Sequence, residues 1–453
     1  MNTSSTSLPT GKATAPAGAA RAPAANEAYR FKPLNIGRFV IWSLFALALA
    51  VAPHLFTSSL ALTMLSQIGY LIIICLSYNI LLGQGGMLSF GHAVYTGMGS
   101  FIAIHAMNKV GGLQIPLVLI PVIGGLGGMF FAILLGYVTT RKSGTTFAMI
   151  TLGIGELVAS MALMFPEFFG GEGGVTSDRV YGQPFLGMTF GPAIEVYYLI
   201  AVYCFICTAL MFAFTGTPLG RMLNAVRDNP ERVEFVGYNT QRVRYFSFII
   251  AGFFAGIGGG LAAINFEIIT AADSVSVMRS GSYLLFTFLG GATFFFGPII
   301  GAVLLVFASI LLSELSKAWL LYLGLVFLFM VMYAPGGVAS LIMMNLRVAK
   351  FGKLKRLLPS YALLTVCALV GVAGFAAIVE MIYHLQLNAA LGDHLRFMGL
   401  SLDTRSTNSW LGAVALLVVG GGLFEMLRRR FVRQWSQIQE EIELLIKRGE
   451  AQA

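Results

Sequence analysis

The feature that most constrains this chain is a succession of apolar runs, each close to the ~20 residues a helix needs to cross a bilayer. Hydropathy places twelve of them, at residues 39–58, 61–82, 91–109, 116–138, 145–165, 194–215, 245–265, 281–296, 298–315, 319–340, 359–384 and 409–427. Hydrocarbon offers no hydrogen bonds to peptide groups, so such segments satisfy themselves as helices. Composition points the same way: 57% of residues are hydrophobic and 11% charged, whereas a soluble domain carries roughly 25% charged residues. The expected class is an all-α polytopic membrane protein. A soluble enzyme, a disordered chain and a secreted disulfide scaffold are excluded.

Charge placement tests the alternation independently. The net charge of +9 would suggest nucleic acid in a soluble protein, but here the basic residues follow the cytoplasmic loops, and no nucleic-acid partner is expected. With the N-terminus inside, 23 of the 29 Lys and Arg fall before Phe39, at Arg141–Lys142, within 217–244, within 346–357 or after Leu427. The opposite loops carry Glu167, Glu172, Asp178, Asp273, Asp393 and Asp403. This bias predicts that both termini are cytoplasmic.

Four segments follow from these patterns. Residues 1–37 are rich in Ala, Pro, Ser, Thr and Gly and read as a disordered cytoplasmic tail leading into an uncleaved first helix. Residues 38–345 form a body of about ten crossings, among which 281–296 is short and broken by Gly290–Gly291, a re-entrant or distorted segment. Residues 346–427 supply a basic linker and an extra hairpin. In the tail, 428–453, Phe431, Trp435, Ile438, Ile442 and Leu445 share one helical face, which predicts an amphipathic helix on the membrane surface or against a partner.

Three places concentrate polar chemistry. The stretch Leu82–His92 packs Gly83, Gln84, Gly86, Ser89, Gly91 and His92 into sequence of membrane depth. Glycine permits a backbone break or a close helix contact, so the segment either lines a polar route or packs helices tightly. The loop 217–244 carries Leu219, Met222, Leu223 and Val226 on one helical face. Asn229-Pro230 then interrupts it, Glu231 to Val236 forms another turn, and Gly237 stands where a C-terminal cap belongs. That pattern predicts a rigid kinked knob: a docking surface for a cytoplasmic partner, or a solvated loop bearing Arg221, Arg227 and Asp228. Finally, Glu156 sits mid-span in an apolar run, where a carboxylate must find a partner or stay protonated; a structural hydrogen bond and proton transfer are the two readings. Glu380 with His384, near the end of the extra hairpin, reads as structural.

Other chemistries lack their motifs. No G-x-x-x-x-G-K-[ST], H-E-x-x-H or G-x-S-x-G occurs, so no phosphate-cradling loop and no hydrolytic centre is expected. Cys204 and Cys207 have C-x-x-C spacing, but no second pair or nearby His accompanies them, and His54 and His105 stand singly. No metal and no cofactor is expected, and the four cysteines read as small buried apolar groups. Few acidic residues lie inside spans, which disfavours an ion-coupled pump.

The blocks Leu76–His92 and Phe147–Glu156 resemble the LivM-type permease of branched-chain amino acid ABC importers, and so do Phe169–Val175, Gly220–Asn229 with Gly237, Ala251–Gly260, Gly290–Ala292, Gly297–Gly301 and Tyr333–Gly337. They occur in the family's order over roughly residues 60–340. The LivH-type partner lacks this version of Gly83–Ser89. The resemblance implies a permease that pairs with a LivH-type second permease, two cytoplasmic ATPases and a periplasmic solute-binding protein in a bacterial inner membrane. It implies that Gly220, Arg221, Arg227, Asp228, Asn229, Glu231 and Gly237 belong to the ATPase-coupling loop. Such a chain is a transport subunit, not an enzyme. The alternatives are a urea, amide or aromatic-acid importer on the same fold, or an ion-coupled secondary transporter. The long N-terminal tail and residues 346–453 depart from the family pattern.

Overall fold

The computed structural model describes residues 36–113, 116–181, 187, 189–387, 394–397 and 400–452; the expected tail before Ile36 and the acidic Asp393 lie outside them. The chain divides into two units, Met1–Ala48 and Leu49–Ala453. In the first, the described part opens helix α1 (Ile36–Leu55), and Trp42 meets Phe45 edge to face with centroids 6.3 Å apart.

The second unit is built around one helix. After α1 come α2 (Ser59–Asn79), a π-helical turn at Ile80–Gln84, α3 (His92–Leu113), α4 (Ile120–Thr139) and α5 (Gly144–Met164). A short helix α6 (Pro166–Phe169) and strand β1 (Val175–Thr176) lead to α7 (Ala193–Gly216). Two short helices, α8 (Pro218–Asp228) and α9 (Pro230–Phe235), precede α10 (Thr240–Phe266), the most buried of the candidate membrane spans among the described residues. Helix α10 packs on α2, α3 and α4, while α2 also packs on α7. Lipid is as apolar as leucine, so helices in a membrane associate by close backbone approach at small residues. Gly256 is such a point: a β-carbon added there would lie on the carbonyl oxygen of Gly124 in α4 and 3.0 Å from the Cα of Gly128. The exit of α10 is tied down by strand β2 (Ile268–Ile269), which pairs antiparallel with β1 (Val175 opposite Ile269). Arg179 adds a backbone N–H···Oε1 bond of 3.0 Å to Glu267.

The segment at 281–296 is short and broken at Gly290–Gly291 as its sequence predicts, whereas the expected single crossing at 319–340 is corrected. Helix α11 (Ala271–Ser274) leads to α12 (Val277–Gly290), whose 14 residues give about 21 Å of helix, short of a ~30 Å hydrocarbon core. It stops at Gly291, which adopts φ +116°, before α13 (Gly297–Phe307). A π-helical turn at Ala308–Leu312 joins α13 to α14 (Ser313–Leu315). The predicted single crossing at 319–340 is instead α15 (Trp319–Tyr333) and α16 (Gly337–Lys350), bent by 50° at the intervening break. Among the described residues, seven helices are long and apolar enough to cross a membrane, or eight if that bent pair is one span. The chain is an all-α polytopic membrane protein with fewer full-length spans among the described residues than hydropathy suggests: the runs at 281–296 and 319–340 are broken, and the apolar helices Phe39–Leu55 and Gly297–Leu312 are short.

The C-terminal region forms a long antiparallel pair, α17 (Leu354–Leu387) and α18 (Thr407–Gln452), joined through a two-stranded hairpin of β3 (His394–Phe397) and β4 (Leu400–Asp403). No proline follows Leu427, and α18 continues through the tail. Its stripe is not left free for membrane or partner: Ile438 and Ile442 are buried against Val348 of α16 and Leu357 of α17, with Phe431 and Trp435 packed beside them. Leu445 is 45% exposed, and Ile446 packs on the cluster instead. Lys353 pairs with Glu441 across the same contact. Glu380 accepts hydrogen bonds from Ser316 and, at 3.4 Å, from Tyr322, fastening α17 to the preceding helices.

Gly256→Val is expected to lower stability by about 1–3 kcal/mol or more through overpacking. Thermal melting of the detergent-solubilised protein measures it, with Gly421→Ala, where an added β-carbon meets nothing within 4 Å, as the tolerated control. Equal melting temperatures for Gly256→Val and wild type would refute close packing at this crossing.

Candidate functional site

The two sequence segments singled out at 82–92 and 217–244 meet in space. Thr217 caps α8, its hydroxyl accepting from the Gly220 N–H at 3.2 Å, and Pro218 occupies the first turn where its missing N–H costs nothing. Gly220 is buried, and a β-carbon there would strike the carbonyl oxygen of Phe214. Leu223 and Val226 turn inward and are buried, while Arg221, Arg227 and Asp228 are exposed. Asn229 leaves the helical conformation at φ −159°, ψ 99°, ending α8 and capping α9 through a 3.0 Å bond from the Arg232 N–H. Glu231 lies exposed in the first turn of α9. Gly237 closes α9 at φ +92°, its N–H reaching the Glu234 carbonyl at 2.9 Å while Tyr238 N–H reaches Val233. Thr240 then donates to Glu234 at 2.7 Å, locking the knob to the start of α10.

Beneath this knob lies the π-helical turn. Asn224 donates to the Gln84 side chain at 2.9 Å, and the Arg227 guanidinium donates to the carbonyl of Gly83. Gly86 adopts φ +62° with the Arg227 Cγ 2.8 Å from where its β-carbon would be. A side chain at 86 would therefore meet both backbone strain and an occupied space. Arg227 also pairs with Asp228 at 2.9 Å. A π turn already carries a misfitted ladder and is frequent at functional sites, and here an exposed helix is hydrogen-bonded directly to one.

The rest of the glycine segment anchors the bend. The Tyr78 hydroxyl donates to the Ser89 carbonyl at 2.7 Å, and Phe90 N–H donates to the Thr151 hydroxyl of α5 at 3.1 Å. Gly91 lies against the Thr151 carbonyl, leaving no room for a β-carbon. His92 is fully buried, 2.9 Å from the Ser77 hydroxyl and edge-on to the Tyr78 ring. Glu156 is elsewhere: it lies on the exposed side of α5 with Met149, Gly153 and Ser160, and has no hydrogen-bond or ion-pair partner among the described residues. The cysteines, Cys204 and Cys207 included, are buried and free, and no group of three metal-ligating side chains occurs among the described residues.

At the tip of the knob, Phe235 is 89% and Val236 74% exposed. A groove of about 360 Å³ runs between α8 and α9, lined by Met222, Ala225, Asn229, Arg232 and Val233. The knob thus ends in an exposed apolar tip beside charged side chains.

Comparison with known proteins decides the family. A model described as the branched-chain amino acid transport system / permease component matches residues 60–335. The chain belongs to that family. It is a transmembrane permease subunit, a transport component rather than an enzyme, and a multi-pass membrane protein. The high-affinity branched-chain amino acid transport system permease protein LivM of Escherichia coli is 26% identical over 287 residues, covering 59% of this chain and 67% of that protein. A probable branched-chain amino acid transport permease protein LivH of Methanocaldococcus jannaschii is 25% identical over 284 residues, covering 60% of this chain and 86% of its own length. A guanosine ABC transporter permease protein, NupQ of Bacillus subtilis, is 28% identical over 139 residues, covering 28% of this chain and 43% of its own length. No solved structure matches.

No local signal gives the contact between Gln84 and Asn224: 140 residues separate the pair, and each side chain looks ordinary in its own segment. The Gln84→Ala/Asn224→Ala cycle is expected to return a coupling of about 1 kcal/mol, read as the melting temperatures of the two single variants and the double. Strict additivity would show that the contact contributes nothing.

Proposed function

We propose that the chain is the LivM-type permease half of an importer for branched-chain amino acids in a bacterial inner membrane, with both termini cytoplasmic. The single observation that carries the mechanism is the seat of α8 on the π-helical turn, through Asn224–Gln84 and Arg227–Gly83. Family membership supports ATPase and binding-protein partners in general. In this reading two cytoplasmic ATPases grip Phe235, Val236 and the groove between α8 and α9, and a LivH-type permease and a periplasmic solute-binding protein complete the complex. Closure of the ATPase pair pushes the knob as one piece, because Thr217, Asn229, Gly237 and Thr240 each fix one of its joints. The push reaches α2 and α3 at the π turn, where an irregular ladder shifts at low cost, and biases two packings of the helices.

Glu156 takes the path-lining reading. A carboxylate at mid-span that no neighbour satisfies cannot face lipid cheaply, so the face of α5 carrying it, with Gly153 and Ser160, turns toward the second permease and the solute route. Ser89, Gly91 and His92, enclosed and hydrogen-bonded, brace the bend beside that route.

Two variants test the push. Arg227→Glu is expected to lower solute-stimulated ATP hydrolysis of the assembled complex by about tenfold, as expected for reversing a charge at a tight contact. Gly86→Leu is expected to leave complex assembly intact while abolishing uptake. Wild-type hydrolysis and uptake in both would sink the mechanism. Leucine uptake into proteoliposomes that requires ATP and survives loss of proton and sodium gradients separates this reading from a secondary transporter, and competition by guanosine, urea or an aromatic acid tests the substrate.

A further inference from the structure

One cavity lies apart from the knob, where α10 ends. It encloses about 200 Å³ between α2, α3, the end of α10, β2, α11 and the start of α12. Its lining combines three chemistries. Arg279 supplies a cation whose Nε is buried without a hydrogen-bond partner, and the Thr96 hydroxyl of the same lining is equally buried and unpaired. Asp273 supplies a carboxylate, of which Oδ2 accepts from Thr270 at 2.8 Å. Phe266, Ile268 and Ile269 supply an apolar wall.

The charges are arranged unlike a structural ion pair. Arg279 and Asp273 line the same cavity, yet no ion pair joins them among the described residues. Arg279 instead lies over the buried Tyr283, its guanidinium carbon 5.9 Å from the ring centroid. Leaving the Arg279 Nε buried without an acceptor is costly, and an anionic group held in the cavity removes that cost. Arg279 is also one of the six basic residues outside the segments that hold the other 23, so the positive-inside pattern does not account for it.

We infer that this cavity binds a zwitterionic α-amino acid with an apolar side chain, the carboxylate on Arg279 and Thr96, the ammonium toward Asp273, and the side chain against Phe266, Ile268 and Ile269. Arg is suited to the first task because its fork matches a carboxylate. The permease then selects its solute within the membrane instead of relying on a delivery protein alone. The inference rests on the permease reading and deepens it by naming where this chain holds the solute.

The test uses the assembled complex in nanodiscs, without its solute-binding protein, probed with radiolabelled L-leucine. Saturable binding is expected, displaced poorly by 4-methylpentanoate, which lacks the ammonium, and by 3-methylbutylamine, which lacks the carboxylate. Arg279→Gln and Asp273→Asn are each expected to weaken leucine binding by about tenfold, the scale of one lost charge-assisted hydrogen bond. Asp273→Asn, on exposed helix surface, decides alone if Arg279→Gln fails to assemble. Leucine binding unchanged in the variants, or absent from a complex that still imports leucine when the binding protein is added, overturns the site and leaves the permease reading standing. A complex that neither binds nor imports leucine overturns both.

Discussion

The architecture depends on how closely backbones can approach one another when no water is available to be expelled. Apolar side chains gain nothing by leaving lipid for one another, so the helix at the centre is held where flesh is missing: at Gly256 of α10 the carbonyl of Gly124 occupies the place of a side chain. Close approach of this kind also strengthens the weak interactions between backbones and leaves little freedom to slide. The tightly packed set of α2, α3, α4 and α10 is therefore the rigid part of the molecule, and whatever moves must move where regular helix gives out.

Those places are few and identifiable. The π turn at Ile80–Gln84 interrupts the passage from α2 to α3, and Gly291 separates α12 from α13. The knob of α8 and α9 touches the first of them with a neutral and a charged hydrogen bond. A force applied to the exposed α8 thus arrives at an irregular turn and not at the glycine-packed crossing, which separates the part that transmits from the part that resists.

Much of this was legible in the order of residues. The interruption at Asn229-Pro230 and the cap at Gly237 follow from local rules that no tertiary contact overrides: proline restricts its predecessor, asparagine caps, and glycine takes positive φ. The twelve apolar runs gave the class of molecule but overstated the number of full spans: Gly290–Gly291 stood out as a break, but hydropathy averages over the 334–336 break as though it were ordinary helix, and the helices at Phe39–Leu55 and Gly297–Leu312 are shorter than their apolar runs suggest. The last crossing and the helical tail after it, read as two segments, are one continuous helix. The amphipathic stripe of the tail was visible; its partner, Val348 and Leu357 of the same chain, was not, since periodicity reveals a face and not what covers it. Long-range pairs such as Asn224 with Gln84, and the convergence of Arg279 and Asp273 on one cavity, lie beyond any local signal.

The uninterrupted α18 has a geometric consequence. Its 46 residues amount to a rod of about 69 Å at 1.5 Å per residue, more than twice the thickness of the oily layer it enters. However it leans, a good part of the rod emerges into water. Glu425 binds Arg428 at 2.6 Å and Arg429 at 2.9 Å, a girdle of charge near the middle of the rod. Long basic side chains settle at the phosphate level, so this girdle works as a waterline that sets how deep the subunit floats, with the Val348–Ile442 bundle carried below it like a keel.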